Sequence, residues 1–273
     1  IYTLSLHDAL PILTRAFLVG SLVALCSALL GVSLVLKRYS MIGDGLSHVG
    51  FGAMAIAAAM NAAPLTIAIP VVIVAAILLL RISGNAKIKG DAAIALISTT
   101  SLAVGVMVIS LTTGMNTDVY NYMFGSILAM SAEDVKLSLV LSVFVLILFI
   151  VFYHKIFAIT FDETFARATG VKAGVYNTLI AVLTAVTIVL GMRMMGALLI
   201  SSLIIFPALT SMRVCRTFKS VIINAAVISV VCLIAGVTLS YVAATPAGAS
   251  VVLANLVMMV LYTVVGAVKN HMR

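Results

Sequence analysis

Long apolar runs separated by short polar connections dominate the pattern along this chain. Each run is roughly 20 residues long, enough to cross a bilayer core as an α-helix. Membrane-spanning strands would instead need short alternating segments with a polar lumen face, and that pattern is absent. The sequence therefore predicts nine membrane-spanning helices, at about 14–36, 40–60, 65–80, 91–113, 135–153, 175–192, 196–212, 221–242 and 249–268.

Composition supports the same class. The chain is 64% hydrophobic and only 9% charged, whereas a soluble domain carries roughly a quarter charged residues. We expect an all-α polytopic membrane protein, a bundle of eight or nine transmembrane helices. With the C-terminus inside, every Lys and Arg except Arg15, Lys136 and Arg193 falls on the cytoplasmic side, as the positive-inside rule prefers. The formal charge of +8 thus reflects membrane orientation and does not indicate nucleic-acid binding.

The first dozen residues differ from the rest. The segment IYTLSLHDALP has no initiator Met and lacks the basic start of a signal peptide. It resembles translated sequencing-adapter sequence. We therefore expect residues 1–12 to be non-native, residues 13–273 to form one transmembrane domain, and the native start to be missing.

Asp44 and His48 are two ionisable residues inside the second predicted span. Such residues are costly in a bilayer and usually serve transport or catalysis. Residues at i and i+4 share one helix face, so both side chains could contact one ion. A carboxylate and a neutral imidazole suit Zn²⁺ or Mn²⁺, and two ligands make a weak site from which an ion can leave.

A structural role for this pair is the alternative. Asp44 would then cap the helix start, and His48 would bond a neighbouring backbone carbonyl. The surrounding glycines favour close helix packing; they are Gly43, Gly45, Gly50 and Gly52.

A polar connection later in the chain, 161–171, predicts a short amphipathic helix closed by Gly170. Asp162 and Glu163 lie at its N-terminal end and Arg167 lies later, as the helix dipole prefers. A polar helix projecting from a membrane bundle is a docking element for a soluble partner. An ordinary solvated loop is the alternative.

The seventh predicted span follows a tight turn at 193–195. Gly196, Ser201 and Ser202 give it a small, weakly polar surface, and Pro207 predicts a kink or break. These features are typical of a moving helix that lines a pore.

Together these motifs resemble the permease subunit of bacterial ABC importers for zinc, manganese and, in some members, iron. Four motifs carry the resemblance in order: G-D-x-x-S-H at Gly43, Asp44, Ser47 and His48; F-G-S-I-L at 124–128; F-D-x-x-x-A-x-x-x-G at Phe161, Asp162, Ala166 and Gly170; and the segment from Gly196 to Ala208. The resemblance covers nearly everything from Leu13 onward.

The resemblance implies a type II importer-like bundle in the bacterial plasma membrane, with its C-terminus in the cytoplasm. It implies a homodimer with two ABC ATPase subunits beneath it and an extracytoplasmic solute-binding protein that delivers the metal. Asp44 and His48 would be transient ligands of transported Zn²⁺, Mn²⁺ or Fe²⁺, and no cofactor would be bound permanently. The ATPase-coupling segment would include Phe161, Asp162, Glu163, Ala166 and Gly170, and the pathway helix Gly196, Ser201, Ser202 and Pro207.

Two other classes stay open from the residues alone. A secondary transporter or channel could use Asp44 and His48 without an ATPase. An intramembrane hydrolase would need further catalytic partners, and no H-E-x-x-H or G-x-S-x-G motif is present. The chain also lacks the G-x-x-x-x-G-K-[ST] phosphate loop, so we expect ATP hydrolysis on a separate chain.

Overall fold

The computed structural model describes residues 6–83, 90–112 and 132–271. Eleven α-helices and their connections make up this part of the chain, which confirms the all-α prediction. In order they are α1 (Leu6–Leu36), α2 (Ile42–Ala59), α3 (Pro64–Ser83), α4 (Gly90–Leu111), α5 (Ala132–Val151), α6 (Tyr153–Phe161), α7 (Glu163–Ala168), α8 (Ala173–Met195), α9 (Ala197–Met212), α10 (Phe218–Ala243) and α11 (Ala247–His271).

Eight of the helices described are long and apolar enough to cross a bilayer. All nine predicted spans coincide with helices, but α9 has only 16 residues. At about 1.5 Å per residue, α9 is shorter than the roughly 30 Å bilayer core.

Several boundaries differ from the sequence prediction. The first helix begins at Leu6 rather than near Thr14. The predicted turn at 193–195 is wrong, because α8 continues to Met195 and the chain turns at Gly196, where φ is +88°. Pro207 does not break α9, which is continuous around it. The F-G-S-I-L motif at 124–128 lies outside the described residues.

The core of the bundle is formed by α1, α2, α8 and α9. Helix α2 packs against α3, α4, α8 and α9, while α1 packs against α8, α9 and α10. The glycines of α2 allow this close approach: a Cβ at Gly45 would lie 2.6 Å from Ile94, and one at Gly52 would lie 2.7 Å from the Ser101 carbonyl oxygen. This confirms the prediction that the α2 glycines serve helix packing.

Candidate metal pair and coupling helix

Asp44 and His48 face one another on α2. The His48 Nε2 atom lies 3.6 Å from Asp44 Oδ2, as the four-residue spacing predicts. Asp44 is not the helix cap, since α2 is preceded by Met41 and has no side-chain cap bond. The exposed fractions of the two side chains are 24% for His48 and 45% for Asp44, so both remain accessible from outside the subunit.

Ser201 of α9 lies beside this pair, and its side chain interacts with the Asp44 carboxylate. The Ser201 hydroxyl also donates to the Ala197 carbonyl at 3.1 Å, while Ser202 bonds Leu199 within its own helix. The structure thus brings Ser201 of the predicted pathway helix to the Asp44–His48 pair. Pro207 is buried further along the same helix.

The pair supplies two side chains of the kinds that bind metal ions. Among the residues the structure describes, no three His, Cys, Asp or Glu side chains come together. Zinc in proteins usually has four ligands. Zinc bound at Asp44 and His48 would therefore need ligands beyond these two side chains.

The segment predicted as one amphipathic helix is divided. Phe161 ends α6, and Asp162 adopts an extended conformation that separates α6 from α7. The Asp162 carboxylate caps α7 by accepting a hydrogen bond from the Phe165 N–H at 2.9 Å. Gly170 follows α7 with a φ of +85°, a conformation that favours glycine.

Glu163, the first residue of α7, turns towards the bundle. Its carboxylate accepts hydrogen bonds from Lys37 at 3.2 Å, from Asn177 at 3.0 Å and from Arg167 at 2.6 Å. Burial alone would raise the pKa of Glu163, but these hydrogen bonds outweigh it and lower the pKa to about 2. Glu163 therefore stays ionised at neutral pH.

Lys37 is the centre of this cluster. It donates to Asn177 Oδ1 at 2.6 Å and to the Ile159 carbonyl at 3.1 Å, in addition to Glu163. Its side chain is only 11% exposed. Burial lowers the pKa of Lys37, and the nearby Glu163 opposes that shift only in part. The ion pair favours the charged form of both groups, but Lys37 loses more contact with water than Glu163 does.

The sequence does not reveal this cluster, because Lys37 has the position of an ordinary cation flanking a membrane span. A second pair is equally hidden in the sequence: Arg193, near the end of α8, lies 3.5 Å from Asp134, near the start of α5.

Comparison with known proteins identifies the family. The ABC 3 transport family matches residues 9–266. The chain is 31% identical to the high-affinity zinc uptake system membrane protein ZnuB of Haemophilus influenzae, over 92% of this chain and 96% of that protein. It is 29% identical to the manganese transport system membrane protein MntC of Halalkalibacterium halodurans, over 88% of this chain and 81% of that protein.

Solved structures agree. The fold matches a chain of PsaBC from Streptococcus pneumoniae, solved in complex with Fab, with a TM-score of 0.82, 27% identity and coverage of 92% of this chain and 90% of that one. An inward-facing putative metal-chelate type ABC transporter, at 16% identity and a TM-score of 0.65, shares the fold. By sequence and by architecture, the chain belongs to the ABC 3 transport family.

Proposed function

We propose that this chain is the permease subunit of an ATP-driven importer that moves zinc or manganese across the bacterial plasma membrane into the cytoplasm. The observation that carries the proposal is the pair of facing metal-ligand side chains, Asp44 and His48, in a membrane span. Relatives named for zinc uptake and for manganese transport support it. No bond is made or broken in this subunit, and the energy comes from an ATPase on a separate chain.

The ion's stay at the pair is brief. Two ligands from one subunit bind a divalent ion weakly, which allows release. In a homodimer, two copies of Asp44 and His48 facing one another would supply four ligands. Alternating access would open this position first to the solute-binding protein outside and then to the cytoplasm.

The cytoplasmic ATPase docks on α7. This helix lies on the surface of the bundle, with Ala166 buried against it and its Phe165 ring 65% exposed. Exposed aromatic rings are typical anchors at protein interfaces. The ring can insert into a cleft of the ATPase, so that α7 moves when the two ATPase subunits close on ATP.

Metal uptake tests the proposal directly. Cells lacking their own zinc and manganese importers would carry the complete transporter with wild-type permease, Asp44→Asn or His48→Ala, and accumulated zinc and manganese would be measured. We expect both variants to insert normally and to lose most of the uptake. Wild-type uptake in both variants would refute the pathway role. Uptake by the permease without its ATPase would instead indicate an ATP-independent transporter or channel.

A further inference from the structure

The cluster around Lys37 joins four separate parts of the chain. Lys37 directly follows α1, Glu163 begins α7, and Asn177 lies in the first turns of α8. The third bond of Lys37, to the Ile159 carbonyl, reaches the last turn of α6. One ammonium group therefore holds the candidate coupling helix and two membrane helices together.

We propose that Lys37 is a positioning residue that transmits movement of α7 through α1 to the Asp44–His48 pair, a role that rests on the proposed docking of an ATPase at α7. Glu163 is then an internal connection rather than a contact with the ATPase. The transmission route has two links. One is the charged cluster, and the other is the packing between α1, α9 and α2.

The first link is stiff because its polar groups satisfy one another. The Glu163 carboxylate accepts from three donors, and Lys37 donates to three acceptors. Hydrogen bonds to charged groups are stronger than neutral ones, and a partner left without its bond in a half-buried site carries a desolvation cost. Helix α7 therefore cannot shift far from α1 and α8 without losing the bonds of Glu163 to Lys37 and to Asn177.

The second link is backbone contact. Gly31 of α1 packs so closely on α9 that a Cβ there would lie 2.1 Å from the Ile204 carbonyl oxygen. On the other side, the Ile204 Cδ1 atom would be 3.0 Å from a Cβ at Gly43, the residue before Asp44. Ser201, on the same helix as Ile204, interacts with Asp44. Movement of α1 therefore reaches the Asp44–His48 pair through α9. The contact between α1 and α9 involves backbone atoms of Ile204, so no flexible side chain absorbs the movement there.

A cluster that only stabilises the fold predicts a different result from a transmitting one. Loss of stability lowers the amount of assembled complex but leaves the number of ions moved per ATP unchanged. Loss of transmission leaves assembly and ATP hydrolysis in place and lowers the number of ions moved per ATP. The ratio of transport to hydrolysis therefore separates the two roles.

The experiment uses the complete transporter, with its ATPase and solute-binding protein, in proteoliposomes supplied with zinc or manganese. The first variant is Lys37→Met. The second is Glu163→Gln, which keeps the shape of the side chain and tests the same contact if Lys37→Met does not assemble. The matched control is Arg38→Met, which removes the same charge from the next, exposed residue. Lys37→Arg tests rescue by a conservative change.

We expect Lys37→Met and Glu163→Gln to lower the number of ions moved per ATP by about tenfold, because both weaken the one charged hydrogen bond that joins α1 to α7. Arg38→Met should match the wild type, and Lys37→Arg should recover most of the ratio. A wild-type ratio in assembled Lys37→Met or Glu163→Gln would overturn the proposal. An equal fall in Arg38→Met would also overturn it.

One more variant separates this inference from the proposed function. Phe165→Ala removes the exposed ring of α7 without touching the cluster. If Phe165→Ala loses ATPase binding while Lys37→Met has a normal ratio, only transmission through Lys37 is refuted. If Phe165→Ala retains full ATPase binding and coupling, the docking of the ATPase at α7 is itself wrong.

Discussion

The contact between α1 and α9 gives a quantitative prediction for Gly31→Ala. The new Cβ would lie 2.1 Å from the Ile204 carbonyl oxygen and 2.9 Å from its carbonyl carbon, whereas ordinary contacts begin near 3.4 Å. The atoms it meets are backbone, so no side-chain rotation relieves the overlap and the two helices must move apart. Overpacking of this kind costs about 1–3 kcal/mol. The better helix propensity of alanine offsets up to about 1 kcal/mol of that cost.

Gly174→Ala is the matched control. It is the same chemical change near the start of α8, where nothing lies within 4 Å of the new Cβ. We expect this variant to be neutral or stabilised by up to about 1 kcal/mol, while Gly31→Ala is destabilised.

The chain has no tryptophan whose fluorescence could report unfolding, but two buried cysteines can report it instead. Cys26 and Cys232 are 1% and 2% exposed, so a thiol-reactive fluorogenic dye reports their exposure on heating in detergent. Cys215 is partly exposed and should react first. The temperature at which half of the buried thiols have reacted should be lower in Gly31→Ala than in the wild type, and equal or higher in Gly174→Ala. Equal midpoints for the two variants would refute the close contact between α1 and α9.

Three further results are expected. Asp162→Ala removes the carboxylate that caps α7, so amide exchange in Glu163–Ala168 should quicken about fivefold, for a cap of about 1 kcal/mol. The same amides in Asp162→Asn should exchange at nearly the wild-type rate, and a wild-type rate in Asp162→Ala would refute the cap. Gly170→Ala should lower the free energy of opening of the same segment by about 1 kcal/mol although space for the Cβ is available, because φ is +85° there. Gly174→Ala is the control, and wild-type amide exchange in Gly170→Ala would contradict backbone strain at this position. The folded-state pKa of Glu163, about 2, is below the ordinary 4.5, so the stabilisation that its charge gives the fold is complete above about pH 4.5 and is lost as pH falls towards 2. The number of ions moved per ATP by Glu163→Gln, divided by the wild-type number, should thus be constant between about pH 5.5 and pH 7.5. A quotient that changes over this range would contradict the ionised state of Glu163.

Much of the fold follows from the apolar runs, because each is long enough to define a span and interrupted clearly enough to end one. The facing of Asp44 and His48 could also be predicted, since helix geometry alone places residues four apart on one face. The helix α6 could not be predicted as readily, because His154 and Lys155 give it the composition of a loop.

Contacts distant in sequence account for the rest. Lys37 is separated by 126 residues from Glu163 and by 140 from Asn177, and no periodic pattern connects them. The predicted turn at 193–195 is wrong for a reason of the same kind, since a cation such as Arg193 is costly inside a span only while it lacks a partner. Its ion pair with Asp134 removes much of that cost, so α8 continues past it to Met195.

The way α7 uses its charges has a consequence for partner choice. Its acid and its base satisfy one another, since Arg167 bonds the same Glu163 carboxylate that Lys37 holds. An ATPase that docks there meets the exposed Phe165 ring and an exposed Arg167 whose charge is already paired within α7. Recognition between the two proteins would then depend on the shape of an apolar cleft, and raising the ionic strength, which screens exposed charges, would weaken their association little.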